Sequence, residues 1–346
     1  MSICGLRRSV MAVVIAAAAL GVVRLARADA IEDFYRGRSI SIVIGYGVGG
    51  GYDTYARLLG RHLGKHIPGN PSMVPQNMPG AGGLKATQYL YGVAPKDGTA
   101  IGTVARGQPL TPLLLGDKSF DPLRLTWIGS VTDEASLCLS WGTSRVKNWQ
   151  DLLTKDVLFG GEGQGADPDM FATALNRIFG TRIKIITGYH STRELTLGME
   201  RGEIEGVCGI SASTLISQQP EWVARKTVNL LVQMAARKDE RFSSVPLIGD
   251  LVQNDEQRKV IGLVIAGQAI ARPFFAPPDV PEDRKTALRA AFDATMKDPE
   301  FRADAQRSNM DVNPMPGADM EAFLKNLYAT PKDVVQKASA AIQIGR

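Results

Sequence analysis

Two histidines four residues apart, His62 and His66, have the spacing at which a helix would turn both toward one metal ion. The residues between them, Leu63-Gly64-Lys65, lack the glutamate of a hydrolytic zinc motif, and no third ligand is evident. They flank an apolar stripe, Ala56, Leu59 and Leu63, so the pair reads as the edge of a packed helix, and no metal is expected. His190, in Gly188-Tyr-His-Ser-Thr192, is the histidine best placed to line a cleft. It has no identifiable nucleophile partner, and the sequence contains no G-x-S-x-G. Hydrolytic chemistry is unsupported, and the chain does not read as an enzyme.

The glycines point elsewhere. Three apolar, strand-like runs each end in a glycine cluster and open into a helical pattern. Ile40–Ile44 leads into Gly45-Tyr-Gly-Val-Gly-Gly-Gly51 and a helix over 53–66. Met73-Val74 leads into Pro79-Gly-Ala-Gly-Gly83 and a helix over 84–91. Val157–Phe159 leads into Gly160-Gly-Glu-Gly-Gln-Gly165 and a helix over 167–179, which Asp167 would cap and Pro168 would open. Helix starts carry unpaired backbone N–H groups and a partial positive charge, and glycine lets an anion approach them closely. One such loop would be only a tight turn; three suggest a binder of a small anion.

Gly45 to Gly50 fits G-x-G-x-x-G, so a dinucleotide enzyme has to be weighed. The second strand should then end in an acidic residue for a ribose hydroxyl, and it ends in Pro75-Gln-Asn77. No Gly-Lys-Ser/Thr follows, which removes a P-loop. Asp53 at a helix start would repel an anion if it faced one, so it is expected to accept hydrogen bonds from its own loop amides. Arg106, after the strand over 99–104, is the better arginine for a bidentate carboxylate contact; Arg57 reads as a surface residue.

The first thirty residues have their own logic. Arg7-Arg8 precedes an apolar run from Val10 to Val23, and Ala26, Ala28 and Ala30 form two overlapping Ala-x-Ala sites. This is a secretory leader, cleaved after Ala28 or Ala30, and its apolar run falls short of the ~20 residues that span a bilayer. Removing it takes away four arginines and one aspartate, so the formal charge falls from +5 to +2 and no nucleic-acid partner is expected. Cys138 and Cys208 remain. An oxidising compartment would permit their pairing, but two buried thiols are the preferred reading.

Strand and helix patterns alternate through the rest, which argues α/β architecture in two domains. The runs 125–131 and 136–141 read as a connection between them. A strand over 261–270 would return the chain to the first domain, and the tail, 281–307, 320–328 and 334–342, is helical. The resulting division is leader 1–30, first lobe 31–130 plus 252–346, and second lobe 131–251.

These residues resemble the substrate-binding receptors of tripartite tricarboxylate transporters, the Bug receptors. The likeness rests on Gly49-Gly-Gly-Tyr-Asp53 with Ala56-Arg57, on Gln76-Asn-Met-Pro-Gly-Ala-Gly-Gly83, on Ala94-Pro-Lys-Asp-Gly98, and on Phe120-Asp-Pro122 with Ile128-Gly129. The loop 160–165, Gly198 to Gly202 and Asp298-Pro-Glu-Phe301 continue it. The resemblance implies a type II-like periplasmic-binding-protein (Venus flytrap) fold, with a cleft between two α/β lobes. It implies a monomeric periplasmic receptor, without cofactor, that hands a small organic carboxylate to a permease of two integral membrane subunits. Carried onto this chain, the carboxylate cradle is Gly49, Gly50, Gly51 and Asp53 with Ala81, Gly82 and Gly83.

The chain also departs from the family. Tyr46, Gly47 and Val48 stand where relatives carry prolines, and Glu162, Gly163 and Gln164 stand where serines are common. A glutamate in the cleft would disfavour a second ligand carboxylate and accept an amine or hydroxyl, so a tricarboxylate is not the expected ligand. With Arg106 and His190 these residues complete the candidate ligand site. A secreted sensor or adaptor of the same fold is the main rival, and the dinucleotide enzyme the weaker one.

Overall fold

The computed structural model describes residues 30–343, so the leader, apart from Ala30, lies outside the described residues. Among the described residues eleven strands form two sheets. They are β1 (Ser39–Ile44), β2 (Ser72–Asn77), β3 (Ala100–Thr103), β4 (Thr126–Ser130), β5 (Ser136–Trp141), β6 (Val157–Gly161), β7 (Ile183–Thr187), β8 (Gly206–Ser211), β9 (Val228–Met234), β10 (Pro273–Ala276) and β11 (Met315–Pro316). The first sheet has the order β11-β4-β10-β3-β1-β2 and the second β7-β6-β8-β5-β9.

β1 shows why its sheet is interior. Ile40, Ile42, Val43 and Ile44 are all buried, a near-continuous β-branched run suited to a parallel strand covered on both faces. The helix Gly51–Leu63 lays Tyr52, Tyr55, Ala56, Leu59 and Leu63 against it at helical spacing. β1 is parallel to β2 and β3, and β6 is parallel to β7 and β8. The C-terminal ends of these parallel strands carry the loops that meet across the gap between the sheets, where ligands of open α/β sheets sit.

The chain crosses between sheets at 131–135 and again at 268–272. The two crossings run side by side, joined by Val131 N to Arg272 O at 3.1 Å, Ala271 N to Thr132 O at 3.0 Å and Glu134 N to Gln268 O at 3.0 Å. Among the described residues no helix is long and apolar enough to cross a membrane.

Three expectations need correction. The run 261–270 is the end of the helix Asp255–Val264 followed by a 3-10 turn, Ala266–Ile270, and β10 is the returning strand. Asn254 caps that helix by accepting from Gln257 N, a local signal that outweighs the β-branched run behind it. Second, the helices Asp255–Val264 and Lys332–Ile342, grouped with the first lobe, pack on the second: Ile261, Val264, Ala338 and Ile342 share one core with Phe171 and Leu175.

Third, Cys138 and Cys208 are not free thiols. The antiparallel register of β5 and β8 sets them directly opposite each other, and they are joined as a disulfide across 70 residues.

Candidate functional site

The two loops that open the longest helices facing the gap are held in the same way. In the first lobe, Asp53 is the third residue of its helix, and its Oδ2 accepts from Gly49 N at 2.9 Å. In the second lobe, Asp169 is the third residue of the helix Asp167–Phe179, and its Oδ2 accepts from Glu162 N at 2.7 Å and Gly163 N at 2.8 Å. A carboxylate in the first turn complements the helix dipole and fixes the direction of the loop amides. The rest of Asp53 is taken by Arg57 Nε at 2.9 Å and Asn77 Nδ2 at 2.8 Å. Burial alone would raise the Asp53 pKa, yet Arg57, Gly49 N and Asn77 hold it below the usual carboxylate value.

Across the gap the loops touch. Gly82 N donates to Glu162 O at 3.1 Å, and Gly47 N donates to His190 O at 2.8 Å. Gln108 Nε2 ties both sides by donating to Gly82 O at 2.9 Å and Gln164 O at 3.1 Å. Gly82 (φ +60°) and Gly163 (φ +117°) need glycine twice over, for their left-handed backbone and for space. A Cβ on Gly82 would lie 2.9 Å from Gln164 O, and one on Gly163 would lie 3.0 Å from Gly82 N.

Beneath the loops lies a buried ionic floor. Arg106 reaches from the first lobe into the second, donating from Nε to Asp167 Oδ2 at 2.7 Å and from Nη2 to Ser136 Oγ at 3.0 Å and Ser211 Oγ at 2.9 Å. Its Nη1 lies 3.6 Å from Glu134 Oε2 but makes no hydrogen bond. Arg272 donates to Glu134 Oε2 at 3.2 Å and to Thr214 Oγ1 at 2.9 Å, while its guanidinium sits 4.8 Å from the Tyr52 ring centre and 4.7 Å from that of Tyr55. Burial would raise Glu134, but Arg272 and Arg106 keep it below the ordinary range.

Two expectations shift here. Arg106 does not present an open fork to a ligand carboxylate, because Asp167 already takes its Nε. Asp167 does not cap its helix through its side chain; the first cap position is Ala166, and the Asp167 carboxylate is spent on Arg106 and Gln268.

Glu162 is the unusual acid. It is buried beside Tyr46, whose hydroxyl donates to Gly82 O at 3.5 Å, and burial followed by the charges of Asp169 and Asp167 pushes its pKa up to about 8. Tyr46 stacks on Tyr52 with ring centres 4.6 Å apart, and the Tyr52 hydroxyl accepts from Arg106 N at 2.9 Å.

Of the residues expected at a ligand site, Tyr46, Gly49, Gly50, Gly51, Asp53, Ala81, Gly82, Arg106, Glu162, Gly163, Gln164 and His190 lie along the seam between the lobes, while Gly83 faces Val104 and Ala105 of its own lobe. Gly50 and Gly51 reach the seam through Ser191 and Thr214, the neighbours a Cβ at each would meet. Ala81 enters through its carbonyl, 3.4 Å from Gln108 Nε2, and His190 through its backbone. A cavity of about 1160 Å³ opens elsewhere, along 132–135, 235–241 and the helix Asp255–Val264.

Sequence reasoning missed Asp169, Gln108, Glu134 and Arg272. Only Asp169 left a local signal, since Gly165 precedes it by the same four residues that separate Gly49 from Asp53. His62 and His66 face away from the seam and bond Asp304 at 2.7 Å and Asp298 at 3.0 Å. His62, Asp298 and Glu300 do gather, but the Lys65 ammonium lies 2.6 Å from Asp298 and 2.5 Å from Glu300 and supplies the positive charge there.

Two mixed α/β sheets, joined by paired crossings and facing each other through glycine-rich helix starts, make a two-lobed periplasmic-binding-protein fold. The periplasmic binding protein BugD superposes with a TM-score of 0.70 at 19% identity, covering 88% of this chain and 98% of that one. MatC of Rhodopseudomonas palustris, solved with bound malate, gives 0.69 at 18% identity over 86% and 99%.

In sequence, residues 56–340 match TctC, the tripartite tricarboxylate transporter family receptor, and the chain belongs to that family. A UPF0065 protein from the gbd 5' region of Cupriavidus necator is 25% identical over 337 residues, 94% of this chain and 95% of the relative. The family is one of solute-binding receptors and not of enzymes.

Proposed function

We propose that this chain is an exported periplasmic receptor that closes on a small organic carboxylate and delivers it to a two-subunit membrane permease. The observation that carries the reading is the direct meeting of two glycine-lined helix starts across the lobes, Gly82 N on Glu162 O. Parting them frees backbone donors from both sides, and a carboxylate bridging those donors favours the shut form. The cradle on this reading is Gly49 to Gly51 with Ala81 to Gly83, steered by Asp53, and the second-lobe loop at Glu162 to Gln164 closes over it. MatC with its malate supports an acid as the ligand class.

The energetics are ordinary. Micromolar binding is about 8 kcal/mol, and each charge-assisted hydrogen bond contributes roughly 1.5–3 kcal/mol before ordering costs. Export rests on the leader, and mass spectrometry of the periplasmic fraction should show a chain beginning after Ala28 or Ala30.

Calorimetry of the mature protein against mono- and dicarboxylates of three to six carbons tests the function. At least one should bind, and Gly82→Leu should weaken it by about a hundredfold or more, since the new side chain wedges the seam where a Cβ already lies 2.9 Å from Gln164 O. An unaltered melting temperature of the free variant would locate the effect in binding. Unchanged affinity would remove the amide cradle.

A further inference from the structure

Three arginines at the seam are each matched to a carboxylate, and a fourth, Arg193, lies against Gly49 at the cradle end. Arg57 pairs with Asp53, Arg106 with Asp167 and Arg272 with Glu134. Two acids are left over, Glu162 and Asp169, and both belong to the second lobe's glycine loop and its helix. Asp169 is 1% exposed; its Oδ2 is held by two loop amides while its Oδ1 makes no hydrogen bond. Glu162 is 9% exposed and faces Tyr46 and Gly82 of the first lobe. A buried carboxyl without a cation is costly in its charged form, and a second negative group brought beside it costs more.

We infer that Glu162, backed by Asp169, sets specificity at the far end of the ligand, selecting a hydrogen-bond donor such as an ammonium or hydroxyl and rejecting a second carboxylate. This rests on the receptor reading above and names the class of acid that the receptor takes. One end of the molecule is the carboxylate that lies on the glycine cradle. The other end meets a surface of acceptors: the Glu162 carboxyl and the bare oxygen of Asp169. A dicarboxylate would press its second anion against these two acids, and the arginine beside them, Arg106, is already engaged by Asp167. The groups facing Glu162 are Tyr46 and Arg106 from the first lobe and Asp167 and Asp169 from the second, and the one cation among them is engaged by Asp167.

The test is calorimetry of the mature protein at pH 9, above the value of about 8 to which Glu162 is raised and so with its carboxylate charged, using acids matched in length, three to six carbons, that end in carboxylate, hydroxyl or ammonium. For five carbons the probes are glutarate, 5-hydroxypentanoate and 5-aminopentanoate. The hydroxy or amino acid should bind about tenfold or more tightly than the diacid of the same length, the scale of like-charge rejection in a desolvated site. Glu162→Ser should shrink that ratio or reverse it, with Glu162→Gln as the same-shape control that keeps the loop's backbone bonds. A diacid that binds wild type as tightly as its hydroxy and amino counterparts overturns the inference and leaves the receptor reading standing. A preference that survives both substitutions overturns the role of Glu162. If no acid of any length binds, both readings fall together.

Discussion

The β1 and β6 units use one plan and reach different states. Each runs from a buried strand through a glycine loop into a helix of 13 residues whose third position is an aspartate bonded to its own loop. The first unit is electrostatically complete, because Arg57, one turn beyond Asp53, neutralises that acid within the lobe and Asn77, at the end of the neighbouring strand, hydrogen-bonds it. The second unit holds three acids, Glu162, Asp167 and Asp169, and its cation, Arg106, arrives from the other lobe. A unit satisfied within its own lobe can serve as a fixed platform. One that needs its partner is satisfied only when the lobes come together, so closure has an ionic component besides the ligand.

The sharpest way to break this contrast is to remove the cation from each unit. Arg106→Ala strands buried Asp167 and should cost about 3–5 kcal/mol of stability in urea unfolding. If it costs no more than Arg57→Ala, the second unit does not depend on its partner lobe.

Next in size is the cross-link confined to the second lobe. Replacing Cys138 and Cys208 by serine should cost about 2–4 kcal/mol, with hydrogen-exchange protection falling first in β5 and β8. Equal loss in β1 and β3 would show that the lobes unfold as one unit.

Acidity separates the two units by sign. Glu162 is raised in the folded chain to about 8. Its contribution is full below the ordinary glutamate value, declines as pH rises from there and is gone above about 8, at up to about 1.4 kcal/mol per pH unit. Asp53 is lowered, so its contribution is present above the ordinary aspartate value and is lost as pH falls through its folded value. Melting temperatures should therefore fall as pH rises from the ordinary glutamate value to about 8, in a manner that Glu162→Gln flattens, while the acid-side loss persists. A variant that loses as much stability over that window as wild type would sink the assignment.

The smallest expected effect is that of Arg57→Ala, about 1 kcal/mol or less, because its side chain is 40% exposed and solvent screens the pair.

What the sequence made legible were features written in neighbouring residues. β1, β6 and the helix Asp167–Phe179 can be read from runs of consecutive side chains, and the bond between Gly49 and Asp53 spans only four residues. The partners of Arg106 lie 30 to 105 residues away and depend on how the two sheets face each other, which no local pattern encodes. The same holds for the disulfide, which needed the β5–β8 register, and for Arg272, which lies beyond a segment read as a strand. The C-terminal helix was legible as a helix, but its apolar face gave no indication of which sheet it would cover.

That last helix has a mechanical consequence. The helix Gly317–Tyr328 lies on the first sheet, and the helix Lys332–Ile342 lies in the second core, so the intervening tripeptide is a short leash between two bodies that must part. Four peptide steps stretch to at most about 14 Å, which fixes how far the bodies can separate along that flank however widely they swing elsewhere. If the lobes part as proposed, the gap between them widens most on the side remote from the leash.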